Sequence, residues 1–220
     1  MIATTPPLAE HSVLPVEPEG IHGLPEQKSL FTTEFFLDLI LPSAGLRCIV
    51  HFHEGRKVHT FHADNKRAAA KAAELDALGD GDVYFGCATF RDPGSRKGIN
   101  AHTAKSLWLD LDTAEFKGEG NSPYSNRQVA VSALERFGFE LALPTPIVVS
   151  SGYGLHVYWP MDSALAPDEW RETARALKRV CDKWGLKADH SRTTDIASIL
   201  RVPGTHNRKN PTAPQRVKML

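Results

Sequence analysis

The chain has 220 residues, of which 41% are hydrophobic and 24% charged, and its net charge is zero. These values are ordinary for a globular domain with a sizeable core, and they argue against a strong non-specific nucleic-acid binder. The sequence has no apolar run of membrane-spanning length and no secretory signal, so we expect a cytoplasmic protein without a transmembrane helix.

The three cysteines, Cys48, Cys87 and Cys181, lie far apart and form no Cys-x-x-Cys pair. This pattern favours a reducing compartment over a disulfide framework or a structural zinc site. The charge is unevenly distributed, since from Leu165 onward twelve Lys and Arg stand against six Asp and Glu, a local balance of +6. That basic segment either faces phosphates or is a solvated surface, and charge alone leaves both open.

Residues 1–28 are rich in Pro and Glu without periodicity, which predicts an extended or poorly ordered arm. Residues 29–90 are predicted to form a small αβ module. Its expected elements are a helix capped by Thr32 or Thr33 and stopped by Pro42, a hairpin over 46–63 that turns at Glu54-Gly55-Arg56, an alanine-rich helix over 65–79 and a buried strand over 82–90.

Residues 91–220 begin with a loop that carries Arg91, Arg96 and Lys97. The expected elements after it are a strand over 105–113, a helix that Ser125 can cap and that runs to Phe137, strands over 144–151 and 155–161, a long helix from Pro167 closed by Gly185, and short strands over 195–204 and 215–220. This order predicts an α/β or α+β fold with a mixed or antiparallel sheet.

The strand over 105–113 contains two acids two residues apart, Asp110 and Asp112. Side chains at this spacing point to the same face of a strand, while Leu109 and Leu111 enter the core from the other face. Two parallel carboxylates suit Mg²⁺ or Mn²⁺, which prefer oxygen ligands. The alternative is two solvated acids on an amphipathic strand. Asp is a poor strand former, however, so two of them in a hydrophobic strand weaken that alternative.

Two further segments carry chemistry-bearing residues. In the first, Ser151-Gly152-Tyr153-Gly154 follows an apolar run and leads to His156, so a ligand could approach the glycine backbone next to an imidazole donor. In the second, residues 189–209 hold Asp189, Asp195, Arg201 and Lys209, a third acid and two cations. Read singly, the first segment is more often a plain hairpin turn with an exposed histidine, and the second is compatible with a polar loop, a strand and another polar loop.

Taken in order, the three pieces resemble the archaeo-eukaryotic primase superfamily, and above all the primase-polymerases of phages and plasmids. In that family an Asp-x-Asp strand is followed by a small residue, any residue and His. A third Asp then precedes a hydrophobic strand that ends in Arg, often with Pro-Gly-Thr-x-Asn-x-Lys after it. Here these are LDLD at 109–112, SGYGLH at 151–156 and the segment 188–209, and the likeness covers about half the chain.

The resemblance implies a role for each matching residue. Asp110, Asp112 and Asp189 would be catalytic ligands of two Mg²⁺ or Mn²⁺ ions, with Asp195 as the competing third ligand. The incoming nucleotide would be bound by a second set: Ser151, Gly154, His156, Arg201 and Lys209. Gly154 stands where many relatives carry Ser, and the chain has no cysteine-rich zinc insertion of the kind some primases carry.

The family fold is an RNA-recognition-motif-like sheet with flanking helices, preceded by a smaller αβ module, which matches the division into 29–90 and 91–220. The implied activity is template-dependent nucleotidyl transfer that makes or extends DNA or RNA primers by two-metal phosphoryl transfer. We expect single-stranded DNA, nucleoside triphosphates and a helicase domain or replicative helicase as partners, in a bacterial, phage or plasmid setting.

Contacts to DNA should follow backbone phosphates and stack on bases, because base pairing supplies the template specificity. Arg91, Arg96, Lys97 and Tyr153 are the candidates for these contacts. Trp108 is a fifth candidate for these contacts, but a core position suits it better.

Two other functions compete with this interpretation. His51-Phe52-His53 resembles the His-hydrophobe-His strand of rolling-circle initiators and relaxases, in which two histidines bind a metal and a tyrosine attacks DNA; Tyr84 and Tyr124 are the available tyrosines. The second alternative is an inactive nucleic-acid-binding sheet of RNA-recognition type. The carboxylate set argues against it, since acids at a phosphate-binding surface repel phosphate unless a metal intervenes.

Overall fold

The computed structural model describes residues 32–114 and 124–220. The predicted arm over 1–28 and most of the predicted loop after the Asp-x-Asp strand lie outside the described residues. Among the described helices, none is long and apolar enough to cross a membrane.

The helices and strands alternate along the chain without any internal repeat. The helices are α1 (Thr33–Ile40), α2 (Asn65–Ala77), α3 (Arg127–Glu140), α4 (Pro167–Trp184) and α5 (His190–Thr193). The strands are β1 (Arg47–His53), β2 (Arg56–His62), β3 (Asp82–Gly86), β4 (Ala104–Asp112), β5 (Ile147–Ser150), β6 (Gly154–Leu165), β7 (Ile199–Arg201), β8 (His206–Asn207), β9 (Gln215–Arg216) and β10 (Lys218–Met219).

The strands form two four-stranded antiparallel sheets and a short two-stranded ribbon. The first sheet has the order β2-β1-β3-β7, and the second has the order β10-β5-β6-β4. The prediction of a mixed or antiparallel sheet is therefore confirmed in its antiparallel form. Because β7 lies far along the chain and completes the first sheet, that sheet contains strands from both predicted parts, 29–90 and 91–220. The division into two modules stays a prediction.

The hairpin of β1 and β2 is confirmed, and its turn is two residues long. Glu54 has φ 46° and Gly55 has φ 75°, which are the positive values that a tight hairpin turn requires. His53 pairs with Arg56, so Arg56 already belongs to β2 and not to the turn.

Helix boundaries follow the local capping chemistry. Thr32 caps α1 by accepting a hydrogen bond from the backbone N–H of Phe35, and Gly185 ends α4 in the left-handed conformation at φ 68°, both as predicted. The predicted cap Ser125 is wrong by one residue. Asn126 is the cap, because its side-chain oxygen reaches the backbone N–H of Val129 at 3.0 Å.

Strand boundaries in the last quarter are shorter than predicted. The predicted strand over 195–204 is reduced to β7, since Asp195 and Ser198 close a turn before it and Pro203-Gly204 makes another after it. The predicted strand over 215–220 is divided into β9 and β10, which pair with different partners.

Two hydrophobic clusters hold the sheets together. One joins α1, α2 and the first sheet to one face of the second sheet, and the other lies between the opposite face of the second sheet and α3 and α4. Leu109 and Leu111 enter the latter cluster, as predicted from their spacing. Trp108 is buried in the first cluster, where its ring stacks on Trp170 with centroids 4.4 Å apart. Its core position is thereby confirmed.

Hydrogen bonds and an ion pair attach the segment around β8 to α2. The carboxylate of Asp76 accepts hydrogen bonds from the backbone N–H of His206 at 2.9 Å and from Nη1 of Arg208 at 2.5 Å. Burial alone would raise the pKa of Asp76, but the hydrogen bonds from Arg208 and His206 outweigh burial and lower the pKa below its ordinary value.

We predict that Asp76→Asn lowers the free energy of unfolding by about 3 kcal/mol, because the cation of Arg208 is left without its buried counter-ion. A carboxyl group with a lowered folded pKa stabilises the fold fully above its ordinary pKa of 3.8, and this contribution is lost as the pH falls through the folded value. Urea unfolding at pH 7 and at pH 3 measures both effects, and the gap between wild type and variant should narrow at pH 3. Asp168→Asn, which removes an exposed pair with Arg171, is the control and should leave the unfolding midpoint unchanged. An equal gap at both pH values would contradict the prediction.

Candidate active site

A cavity of about 280 Å³ opens where the two sheets meet. The first sheet, the second sheet and the turn after β8 all contribute to its walls. The lining residues are Phe52, Lys57, Tyr84, Asp110, Asp112, Thr113, Ser151, Tyr153, Gly154, His156, Asp189, Arg192, Ile199, Leu200, Arg201, Asn207 and Lys209. The fold thus brings all three sequence motifs to one cavity.

The pairing of β4 with β6 sets the centre of this cavity. Asp110 lies directly opposite His156, and Asp112 lies directly opposite Gly154. The two aspartates share one face of β4, as their spacing predicted, and both remain partly exposed while Leu109 and Leu111 are buried on the other face. Nε2 of His156 is 3.8 Å from Oδ1 of Asp110.

The two candidates for a third acid have different positions. Asp189 lines the cavity, and its backbone N–H donates to the carbonyl oxygen of Asp110 at 2.8 Å, which fixes it next to the strand of the other acids. Its Oδ1 accepts from the backbone N–H and the hydroxyl of Ser191. Burial would raise the pKa of Asp189, but these hydrogen bonds lower it, so the group is a carboxylate at neutral pH. Asp195 is exposed, caps its own turn and does not belong to the described lining.

The acids have the chemistry that a divalent cation requires. Asp110, Asp112 and Asp189 offer oxygen ligands to one cavity, while no three acidic, histidine or cysteine groups of the described residues converge closely enough to hold an ion alone. Mg²⁺ usually keeps several waters and binds through one or two carboxylates and substrate phosphates. The open set therefore fits Mg²⁺ or Mn²⁺ bound together with a phosphate ligand.

His156 is the most strongly perturbed base of the cavity. Its side chain is almost fully buried, and burial, with the nearby cations of Arg201 and Lys209, lowers its pKa to about 3. The ring is therefore neutral at physiological pH. Its Nδ1 is buried without a hydrogen-bond partner, whereas its Nε2 lies 3.8 Å from Oδ1 of Asp110.

The glycine turn before His156 is held by contacts from three directions. Nη2 of Arg127 donates to the carbonyl of Gly152 at 2.9 Å, the hydroxyl of Thr113 donates to the carbonyl of Tyr153, and the side-chain amide of Asn207 donates to the carbonyl of Ser151 at 2.7 Å. These contacts fix the backbone that forms one wall of the cavity.

The two predicted cations reach the cavity from different elements. Arg201, at the end of β7, is almost fully buried, and its guanidinium lies 4.7 Å from the ring centroid of Tyr84 and contacts Asp82. Lys209 is exposed, and its backbone N–H donates to Oδ1 of Asn207 at 3.1 Å. Asn207, which no prediction included, thereby joins the glycine turn to the turn that carries Lys209.

The candidates for DNA contacts are divided. Tyr153 lines the cavity, whereas Arg91, Arg96 and Lys97 lie on the loop after β3, outside the described lining. Nη1 of Arg91 donates to the carbonyl of Ile99. The pKa of His59 is lowered mainly by burial and secondly by the nearby cation of Arg96.

Sequence reasoning missed the wall that the first sheet contributes. Phe52, Lys57 and Tyr84 share one face of three adjacent strands, since Phe52 pairs with Lys57 and Tyr84 pairs with Arg201. The alternation in β1 could have indicated that Phe52 and His51 face opposite sides, but only the tertiary structure shows which side meets the acids. Arg192, on α5, was missed for the same reason.

The arrangement that a nicking initiator needs is not formed. His51 and His53 stack with ring centroids 5.7 Å apart, on the side of β1 opposite to Phe52 and the cavity. Asp80 contacts His51 at 3.1 Å. Tyr84 lies on the cavity side of the sheet, and Tyr124 is buried with its hydroxyl accepting from the backbone N–H of Lys187. Neither tyrosine faces the histidines, so the structure does not favour this alternative.

No protein-family profile and no curated protein matches this sequence. Among solved structures, the chain is similar to the AEP domain of the primase-polymerase of cyanophage S-2L, with a TM-score of 0.57 at 14% identity over 80% of both chains. It is also similar, with TM-scores of 0.49, to the catalytic domain of primase RepB′ in complex with initiator DNA (13% identity, 79% of this chain and 75% of that one) and to the polymerase domain of Mycobacterium tuberculosis ligase D in complex with DNA (20%, 80% and 63%). The first likeness confirms the predicted fold class.

Gly154 is predicted to tolerate no side chain, although the resemblance places serine there in many relatives. A Cβ at this position would lie 2.5 Å from the carbonyl oxygen of Leu111, inside the β4–β6 ladder. We expect Gly154→Ala to lower the melting temperature by several degrees and to reduce any activity of the cavity. The control is Gly138→Ala on α3, where a Cβ meets nothing within 4 Å and the variant should be at least as stable as wild type. Differential scanning calorimetry measures both, and a Gly154→Ala protein as stable as wild type would contradict the prediction.

Proposed function

We propose that this chain, which has the fold of the archaeo-eukaryotic primase-polymerase catalytic domain, is a template-dependent nucleotidyl transferase acting on DNA. The observation that carries the proposal is the meeting of three carboxylates, one neutral histidine and four cationic side chains in a single cavity. An acid-lined cavity alone would repel a triphosphate, and a cationic cavity alone would not hold a metal. The combination suits a metal-bound nucleoside triphosphate.

Asp110, Asp112 and Asp189 would hold the Mg²⁺ or Mn²⁺ ions. When bound, such ions activate an attacking hydroxyl and stabilise the leaving oxygen in phosphoryl transfer. The role of the protein is to orient these carboxylates. Asp110 and Asp112 are fixed by the β4–β6 ladder, and Asp189 by its hydrogen bond to the backbone of Asp110.

The phosphates of the nucleotide would be bound beside the acids, on the neighbouring strand of the same sheet. The neutral imidazole of His156 can donate one hydrogen bond to a phosphate oxygen, and the backbone from Ser151 to Gly154 allows a close approach. Arg201 and Lys209 would supply positive charge to the triphosphate. The reaction would join a 3′-hydroxyl to the α-phosphate of the nucleotide and release pyrophosphate.

Single-stranded DNA would lie across the mouth of the cavity. Tyr153 would offer an aromatic ring to a base, and Arg91, Arg96 and Lys97, on the loop after β3 and outside the cavity lining, would offer cations to the DNA backbone. Both deoxyribonucleotides and ribonucleotides, and both primed and unprimed templates, belong in the first assay.

We predict that Asp110→Asn and Asp112→Asn each reduce nucleotide incorporation by about a thousandfold, because each removes an oxygen ligand with full negative charge and keeps the side-chain shape. The measurement is extension of a labelled primer on single-stranded DNA with Mg²⁺ or Mn²⁺, and a parallel reaction without primer tests priming.

The matched control is Asp162→Asn, an exposed acid near the far end of β6, which should incorporate nucleotide at the wild-type rate. Wild-type protein that makes no product with either metal, or an Asp110→Asn variant as active as wild type, would refute the proposal. In that case, a denaturant-stable protein–DNA adduct that disappears in Tyr84→Phe or Tyr124→Phe would indicate a nicking mechanism instead.

A further inference from the structure

Asp82, the first residue of β3, makes contacts that no motif predicts. Its Oδ2 accepts a hydrogen bond from Nη2 of Arg201 at 2.9 Å, and its Oδ1 forms an ion pair with Nη1 of Arg201 at 2.8 Å. The exposed fractions of the two side chains are 14% and 4%, so this two-point pair is screened little by solvent. A hydrogen bond and an ion pair to the same carboxylate restrict the position and the orientation of the guanidinium.

Tyr84 restrains the same guanidinium from a second direction. The carbon at the centre of the Arg201 guanidinium lies 4.7 Å from the centroid of the Tyr84 ring, and the Tyr84 hydroxyl donates to Oδ2 of Asp82 at 3.4 Å. A free arginine side chain has several rotatable bonds, and ordering it costs conformational entropy. The protein has already met that cost before any ligand binds.

Asp82 also holds the turn that carries the second cation. The backbone N–H of Arg208 donates to Oδ1 of Asp82 at 2.7 Å, and Lys209 is the next residue. One carboxylate on the first sheet therefore fixes the end of β7 and the start of the Lys209 turn, although these segments are separated from it by more than a hundred residues.

We infer that Asp82 is a positioning residue for triphosphate binding, and that it acts by orienting Arg201 and the turn of Lys209 toward the cavity that holds Asp110. Asp82 is not among the described residues that line the cavity, so it would act on the ligand only through these cations. The inference rests on the proposed function for the identity of the ligand, a nucleoside triphosphate. It adds that the site depends on a residue of the first sheet that lies outside the three motifs.

Asp82 could affect anion binding in two opposite ways, and the variants distinguish them. If the carboxylate merely neutralised Arg201, its removal would free a positive charge and tighten the binding of an anion. If the carboxylate orients Arg201, its removal leaves a misplaced cation and a loosened turn, and binding weakens. A longer carboxylate separates these effects further, since it keeps the charge and displaces the guanidinium.

The test measures the binding of ATP, dGTP and inorganic tripolyphosphate, each with Mg²⁺, to the full chain by isothermal titration calorimetry. The variants are Asp82→Asn and Asp82→Glu. We expect both to weaken binding of the triphosphates by about tenfold, the loss of one well-placed charge-assisted contact. In primer extension, KM for the nucleotide should rise by a similar factor while kcat changes less than threefold.

Asp168→Asn is the control, because it also removes a carboxylate paired with an arginine, but at an exposed position outside the cavity lining. Its triphosphate affinity should stay within about twofold of wild type. Tighter binding by Asp82→Asn, unchanged binding by Asp82→Glu, or an equal loss in Asp168→Asn would overturn the inference. Should Asp82→Asn fail to fold, Asp82→Glu alone decides.

The outcomes for the inference and for the proposed function are distinct. A wild type that binds tripolyphosphate but incorporates no nucleotide would refute the polymerase proposal, and weakened binding in the Asp82 variants would still support the positioning role. A wild type that polymerises, with Asp82 variants that bind as well as wild type, would refute only the positioning role.

Discussion

The antiparallel ladder between β4 and β6 is the constraint on which the candidate site depends. It is the longest ladder among the described strands, and it runs in register from Ser106 opposite Pro160 to Asp112 opposite Gly154. A slip of one residue would turn every side chain of β4 to the other face, so that the two aspartates would enter the core and Leu109 and Leu111 would face the cavity. Burial of those leucines therefore fixes the orientation of the acids.

A second layer of polar contacts attaches the rest of the site to this ladder. Asp189 is held by the backbone of Asp110, Asn207 by the carbonyl of Ser151, and Arg201 by Asp82. Each contact joins segments that are distant in sequence, and each satisfies a polar group that burial would otherwise leave unpaired. The cavity is thus built from the same interactions that close the fold.

Much of this organisation could be predicted from the sequence, because its signals are local. Period-two alternation identified the shared face of Asp110 and Asp112, and capping residues located the ends of α1 and α4. The chain order of three motifs indicated the fold, which the likeness to the cyanophage domain confirms. The individual roles of His156, Arg201 and Lys209 remain predictions.

The remaining features could not be predicted, because they depend on contacts that no local pattern encodes. Asp82 opens an ordinary hydrophobic strand, and nothing near it in sequence indicates a partner at Arg201. The wall formed by Phe52 and Lys57 depends on which face of the first sheet meets the second. The pair His51 and His53 misled for the same reason, since its spacing describes one face of a strand but not where that face lies.

The late position of β7 has a consequence for the synthesis of the chain. β3 pairs with β7 through Tyr84, Phe85 and Gly86, and the partner residues 199–201 leave the ribosome more than a hundred residues later. At usual elongation rates this delay lasts roughly ten seconds. During that time, one side of β3 offers unsatisfied backbone groups to any other strand, including the same strand of a neighbouring nascent chain on the same messenger RNA. The brevity of β3, with five residues, limits the length of such a mispaired ladder.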